Sequence, residues 1–305
     1  MAQSALIVGY GSTGSRHARL LVELGCRTAV VSARKVDFSI AYPTLSDALA
    51  QESPTYVVVA NATDCHFDTL SQLAQSGYRG TVLVEKPLFD RPRKTGQLPF
   101  SNTFVAYNLR FHPVIQRLKA LLDGEKIISV QAYVGQYLPE WRPTTDYRKS
   151  YSANAERGGG VLRDLSHELD FLLWLFGGWE RVSALGGHFS SLEICSDDVF
   201  SLMMVTAHCP VMTLQMNYFD RMTRRFILVN TDNHTIFADI ATGIVSVDRE
   251  NESFAVDHDF TYRAMHEAVL SDTTMTLCSL DEGINIMKLI DAAESAAKNG
   301  EWIKR

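Results

Sequence analysis

Cysteine is scarce in this chain. There are five, at positions 26, 65, 195, 209 and 278, and none forms a CxxC pair. An odd count at wide spacing argues against a disulfide framework or a zinc ribbon, and a reducing, cytoplasmic setting fits it best. Blocks of lysine and arginine are also missing, and the formal net charge is −6. A weakly acidic chain without a basic patch is not expected to take nucleic acid or an anionic membrane as its main partner. The longest dense apolar run, Phe171–Phe176, falls far short of the roughly 20 residues that a membrane helix needs. No basic segment precedes an apolar one at the start, so no secretory signal is expected. Internal repeats and low-complexity tracts are absent. What remains is an ordinary globular composition, 46% hydrophobic and 21% charged, over 305 residues. That length suffices for two domains with separate cores.

The most informative stretch is Ala5–His17, ALIVGYGSTGSRH. An apolar run of strand length, Ala5–Val8, leads into Gly9, Gly11 and Gly14, and a helical pattern begins near Ser12. The first glycine permits the tight turn, the second lets the backbone approach a pyrophosphate, and the third lets helix and strand pack closely. The first amides of the helix, around Ser12 and Thr13, then face the phosphates. A dinucleotide is expected here.

The second strand, Thr28–Ala33, ends in Ser32-Ala33-Arg34-Lys35. Sites that prefer NAD commonly keep an acidic residue at this point. Ser32 with Arg34 suits a 2′-phosphate instead, so NADP is favoured over NAD. Asp37 would reverse that choice if the strand ran further, and a solvated basic turn is the plainer reading. Tyr56–Ala60 is a continuous apolar run of the kind buried on both faces. It is followed by Asn61, Thr63 and a helix opening at His66, where Asn61 and Thr63 are placed to line the cofactor. Further strands at Gly80–Glu85 and Phe104–Asn108 complete an alternating pattern. The expected class is α/β, an N-terminal Rossmann domain with a doubly wound parallel sheet over 1–112.

Val84-Glu-Lys-Pro87 follows the fourth strand, and Tyr107-Asn-Leu-Arg-Phe-His-Pro113 follows the fifth. With GYGSTG, these motifs resemble those of the glucose–fructose oxidoreductase / inositol dehydrogenase (Gfo/Idh/MocA) family. Gly158-Gly-Gly-Val-Leu-Arg-Asp164-Leu-Ser-His167 resembles its GGxxxDxxxH-type helix, although here Asp and His are three residues apart instead of four. Ser279–Gly283 resembles its terminal segment. The resemblance covers nearly the whole chain. It implies NAD(P)-dependent oxidoreductase chemistry, with Lys86, Asp164 and His167 as the catalytic set. It also places Gly9, Gly11, Ser12, Thr13, Gly14, Ser32, Arg34, Asn61, Thr63, His66, Glu85, Lys86 and Asn108 about the cofactor.

The residues carry their own arguments beside this. A lysine at the carboxyl edge of a parallel sheet points to the ligand crevice, and burial there lowers its pKa towards acid–base work. A surface ion pair with Glu85 is the plainer alternative, and the Lys86–Pro87 bond suits a cis peptide. Arg110 suits either substrate contact or the ordering of its loop. His112 opens the helix Pro113–Leu122, with Pro113 at its first position. Asp164 and His167 at i, i+3 share one face of a helix expected over Val161–Phe176. A third distant ligand is lacking, so no metal is expected.

The second domain, 113–305, is expected to be α+β with a large, mostly antiparallel open sheet, from short strand-like runs between 181 and 247. It is read as the substrate-binding and oligomerisation domain, a homodimer or homotetramer forming through the sheet, while the helix 284–297 returns to the first domain. A long loop, Gly135–Ser152, carries Trp141, Arg142, Tyr147 and Arg148. Aromatics interleaved with arginines suit a sugar face and an anionic group, though a flap or a subunit contact would use the same residues. The substrate expected is a sugar, sugar acid, polyol or nucleotide-activated sugar, bound by Lys86, Arg110, these loop residues, Asp164 and His167. Two other readings stay open. The cofactor could be resident, giving epimerisation, elimination or glycoside cleavage without net redox, or the chain could sense dinucleotides without catalysis.

Overall fold

The computed structural model describes residues 3–305. The chain separates into two compact units, one made of residues up to Asn108 together with Asp259–Ile284, the other of Leu109–His258 and Asn285–Arg305.

The first unit opens with six strands, β1 (Ser4–Val8), β2 (Arg27–Val31), β3 (Ala41–Tyr42), β4 (Tyr56–Val59), β5 (Thr81–Val84) and β6 (Asn102–Val105). Three helices lie between them, α1 (Ser12–Glu23), α2 (Leu45–Glu52) and α3 (His66–Gln75). The six strands stand in the order β6-β5-β4-β1-β2-β3 and all their pairings are parallel. The middle strands are unbroken apolar runs because helices cover both faces of such a sheet. Every residue of β4 is buried. Strand order reverses between β1 and β4, and ligands of doubly wound sheets bind at such a switch point. Local chemistry sets the helix ends. Gly25 takes a φ of +81° just past α1, and the Thr44 hydroxyl caps α2 by accepting from the Asp47 amide.

The second unit begins with α4 (Pro113–Leu121) and β7 (Ile127–Gly135). Next come α5 (Val161–Asp164), α6 (His167–Phe176), and the strands β8 (Trp179–Gly187), β9 (Val199–Thr206), β10 (Cys209–Asn217), β11 (Arg224–Thr231), β12 (Thr235–Asp239), β13 (Ile244–Val247) and β14 (Glu250–Ser253). These form an open sheet that is antiparallel except where β10 runs parallel to β7. Burial alternates along β9, so one face packs and the other is open. Leu185 and Met203 are exposed, and Tyr133, Phe226 and Phe237 form a ladder of rings 5.5 Å apart across three strands.

The chain then returns to the first unit with α7 (Phe260–Leu270) and β15 (Cys278–Ser279), which adds antiparallel to β6. The long helix α8 (Leu280–Asn299) starts there, and the division falls after Ile284, so the body of the helix belongs to the second unit. There β16 (Ile303–Lys304) pairs with β8 at the sheet edge.

Three expectations need correction. The helix expected over 284–297 does not return to the first domain: from Asn285 it belongs to the second unit, and it is Asp259–Ile284 that returns. Val161–Phe176 is not one helix. The backbone turns at Leu165, whose ψ is 24°, and the helix restarts at His167. Asp164 therefore ends one helix and His167 begins the next, so i, i+3 spacing no longer fixes a shared face for the two. The two halves are anchored separately, Asp164 by tyrosine hydroxyls and Asp170 by Arg110. The loop after β7 is also less bare than expected. It carries single 3₁₀ turns at Leu138–Glu140, Tyr147–Lys149, Tyr151–Ala153 and Ala155–Arg157.

Candidate active site

The glycine turn is built as tightly as its spacing implies. Gly9 has a φ of +99°, and a Cβ there would stand 2.6 Å from the Asn61 backbone. A Cβ on Gly14 would lie 2.0 Å from the Gly9 carbonyl oxygen. At Gly11 the same atom would meet nothing within 4 Å. The first and third glycines are thus required by protein contacts, whereas the second faces open space. No side chain caps α1 at Gly11, which leaves the first-turn amides of Ser12, Thr13 and Gly14 to an outside acceptor. An open glycine before uncapped amides at the switch point fits a pyrophosphate.

Strand β2 stops at Val31, so Ser32 to Lys35 occupy the strand end and Asp37 lies beyond it. The Arg34 amide donates to the Ser32 hydroxyl at 3.2 Å, and that hydroxyl donates to the Arg34 carbonyl at 3.0 Å. This small turn leaves the Arg34 and Lys35 side chains exposed.

After β4, the Asn61 amide group donates to Thr69 at 2.8 Å, while its buried Oδ1 has no partner among the described residues. Thr63 opens a 3₁₀ turn. The His66 ring is buried between the carbonyls of Leu88 and Asn61, and burial holds its pKa below the ordinary value. His66 therefore serves the turn itself. After β5, Glu85 binds His17 through one oxygen and accepts from the Lys86 amide through the other, at 2.8 and 3.0 Å. Lys86 is half-buried and its bond to Pro87 is cis. Asn108 donates to Thr261 at 2.6 Å.

In the second unit, Asp164 is the centre of its own constellation. The hydroxyls of Tyr151 and Tyr218 donate to its two oxygens, the latter at 2.5 Å. Burial first, and the Asp164 charge after it, hold the Tyr218 hydroxyl well above its ordinary pKa. Trp141 stands edge-on to Tyr218 with ring centroids 5.2 Å apart, its buried indole N–H having no acceptor among the described residues. His167 is half-buried, three residues from Asp164.

Residues 4–98 match the oxidoreductase family with the NAD-binding Rossmann fold, and residues 115–236 match the GFO/IDH/MocA C-terminal domain. The chain belongs to the Gfo/Idh/MocA family. That family is one of oxidoreductases with an NAD-binding Rossmann fold. A Synechocystis sp. protein named as an uncharacterized oxidoreductase is 29% identical over 164 residues, a stretch covering 50% of this chain and 42% of that protein. The match thus spans less than half of that relative's length. Among solved structures, the WlbA dehydrogenase from Bordetella pertussis, in complex with NADH and UDP-GlcNAcA, is 20% identical, with a TM-score of 0.83 over 100% of this chain and 99% of that one. A levoglucosan dehydrogenase complexed with NADH and levoglucosan is 15% identical, with a TM-score of 0.82 over the same shares. At such identities these likenesses show the fold.

In this Gfo/Idh/MocA chain Arg110, Arg148 and Tyr147 have partners within the protein. Arg110 is buried and forks onto Asp170 at 2.7 to 3.1 Å. Arg148 is exposed but pairs with Asp146 and Glu193, which hold its pKa above the ordinary value. The Tyr147 hydroxyl accepts from the Glu193 amide at 3.3 Å. Arg142 is exposed, with no ion pair among the described residues. Tyr218, His17 and His266 are the polar residues that the motifs did not disclose. No cluster of three metal-ligating side chains stands among the described residues, and no helix there is long and apolar enough to cross a membrane.

His112 caps α4, its Nδ1 accepting from the Val114 amide at 3.3 Å. Burial, with Arg225 adding to it, lowers its pKa from 6.5 to about 4. The unfolded chain takes up this proton below its ordinary value while the folded chain refuses it, so stability falls as pH drops through that window and is whole above it. His112→Asn keeps a capping acceptor and does not titrate. Urea unfolding at pH 7 and at about pH 4.5 is expected to show a smaller acid loss in the variant than in the native chain. Equal losses would remove His112 as the cause.

Proposed function

We propose that this oxidoreductase moves a hydride between nicotinamide and a carbinol carbon of a sugar, sugar acid, polyol or nucleotide-activated sugar. The observation that carries this reading is one sheet bearing both the open glycine turn after β1 and Lys86 at the end of β5. When bound, the nicotinamide supplies or accepts the hydride. Lys86 and His167 handle the hydroxyl proton, and Asp164, held by two tyrosine hydroxyls, orients that exchange. Asn61 and Asn108 position the cofactor, and Trp141 offers a flat apolar face to a pyranose. Arg142, whose charge is uncommitted, favours a substrate with an anionic group. Dehydrogenases among the similar structures carry UDP-GlcNAcA and levoglucosan, which supports a carbohydrate. The exposed Leu185 and Met203 and the ring ladder support a homo-oligomer through the open sheet face.

The test is a panel of neutral, acidic and nucleotide-linked sugars, followed at about 340 nm with each cofactor. Cofactor reduction with an acidic or nucleotide-linked sugar supports the reading. Sugar conversion without an absorbance change points to a resident cofactor, and absence of conversion across the panel overturns the assignment.

NADP is the favoured cofactor, because Ser32 and Arg34 stand where the strand ends and an acid is missing. A charge-assisted bond to phosphate is worth about 1.5–3 kcal/mol, or roughly ten- to a hundredfold in affinity. Arg34→Ala is expected to weaken NADPH binding by that factor and leave NADH within about twofold, read by fluorescence titration. Equal losses for both would set the NADP preference aside.

A further inference from the structure

Four polar side chains inside the first unit form a chain that the reading above does not use. Tyr56, His266, His17 and Glu85 come from β4, α7, α1 and the end of β5, and all are buried. The Tyr56 hydroxyl is 3.0 Å from His266 Nδ1, His266 Nε2 is 2.8 Å from His17 Nδ1, and His17 Nε2 is 2.8 Å from Glu85 Oε1. The second oxygen of Glu85 accepts from the Lys86 amide.

The ends of the chain decide where its protons sit. A neutral imidazole has one donor and one acceptor, and an ionised carboxylate only accepts. With Glu85 ionised, His17 carries its proton on Nε2 and offers Nδ1 to His266. His266 then carries its own on Nε2 and offers Nδ1 to the Tyr56 hydroxyl. Every bond points towards Glu85 and each ring nitrogen is used once. Reversing the order, or adding a proton to either ring, turns an N–H towards the Tyr56 oxygen or sets two N–H groups face to face. In the first case the tyrosine proton is left without an acceptor, which costs about 1–3 kcal/mol when buried. The surroundings act in the same direction. Burial, with His17 adding to it, holds His266 well below its ordinary pKa, and burial holds Tyr56 well above its own. The other titratable groups nearby are Tyr262, whose ring meets His17 at 5.3 Å, Arg16 and Asp259 around Tyr262, and Cys26 and Tyr78 beside Tyr56. Tyr56 is only 3% exposed, so the chain has no outlet there and is not a conduit for protons.

We propose that His17 and His266 are positioning residues, which hold Glu85 as an oriented carboxylate and, through its bond to the amide, fix Lys86 relative to the glycine-turn helix. Only the catalytic consequence rests on the proposed role of Lys86; the positioning itself is tested without turnover.

The experiment is nitrogen NMR on histidine-labelled protein. Both rings are expected in the Nε2–H form, and His266, which burial holds well below its ordinary pKa, is expected to stay neutral between about pH 5.5 and 8.5. A ring in the Nδ1–H form, or a His266 that titrates near its ordinary value, overturns the proposal. In His266→Phe the donor to His17 Nδ1 is gone, and the His17 ring nitrogens and the Lys86 amide resonance should both shift, while His266→Gln, which restores an N–H donor, should keep them near their native positions. A purely structural histidine pair would leave the Lys86 amide unmoved in both variants, and that result also overturns the proposal. Tyr56→Phe keeps the ring in place should His266→Phe fail to fold. It removes only the terminal donor and is expected to move the His266 Nδ1 resonance towards that of an imidazole nitrogen that accepts no hydrogen bond; an unmoved Nδ1 counts against the chain. Normal turnover in Lys86→Ala would sink the catalytic reading of Lys86 and leave these resonances as they are.

Discussion

Lys86→Ala lowers turnover about a thousandfold and leaves dinucleotide affinity within about twofold, the outcome expected if the lysine handles a proton at the reacting carbon. Positioned acid–base groups contribute roughly a hundred- to ten-thousandfold, so a loss of this size is the acid–base share and not the whole catalysis. Affinity is expected to be spared because the proposed phosphate site is elsewhere, at the glycine turn and the uncapped amides of α1. Lys86→Arg separates charge from chemistry. Arginine keeps the cation but does not give up its proton, so it should be nearly as slow as alanine. His167→Ala is expected to lose turnover on a similar scale, again with the cofactor still bound. The measurements are turnover at saturating cofactor with a sugar that the panel identifies, and NAD(P)H fluorescence titration. Near-normal rates in both alanine variants would remove the assignment.

The parts of the fold that depend on neighbours in sequence were legible. Val8, Gly9, Gly11 and Gly14 announce strand, turn and helix within ten residues, and each contact that a Cβ would disturb is set by that spacing. Apolar runs such as Tyr56–Val59 mark the doubly covered sheet. Where the structure depended on partners far away, the sequence was silent. The helical spacing of apolar residues continues through Leu165, yet the helix breaks there, and one of the two hydroxyls that bond Asp164 comes from Tyr218, 54 residues away. The strand Glu250–Ser253 carries no apolar residue and is visible only as a partner of β13. His17 reads as one more helix residue until His266, 249 positions on, closes on its ring. One omission was local: Asp146 stands two residues before Arg148 and pairs with its guanidinium.

Arg110 shows how a residue in a functional motif can be held for structure, and the result to expect is a large loss of stability with no loss of substrate affinity. Its guanidinium is 2% exposed, Asp170 is 1% exposed, and the two are joined by a forked set of bonds, with Trp174 5.4 Å from the guanidinium carbon. Removing one partner of such a pair strands the other charge away from water, which costs about 3–5 kcal/mol. Asp170→Ala should therefore lose about that much in urea unfolding, a large fraction of the roughly 5–15 kcal/mol that a folded chain has in total. The double variant Arg110→Met, Asp170→Leu removes both charges and refills the volume. Such replacements are often neutral or stabilising, so it should lie within about 1 kcal/mol of the native chain or above it. A double variant as unstable as the single one would mean that the pair supplies more than charge compensation. The same protein decides the functional question, because it removes the guanidinium without unfolding the chain. An unchanged KM for an anionic sugar assigns Arg110 to the interior of the second unit. A KM raised tenfold or more would return it to the substrate.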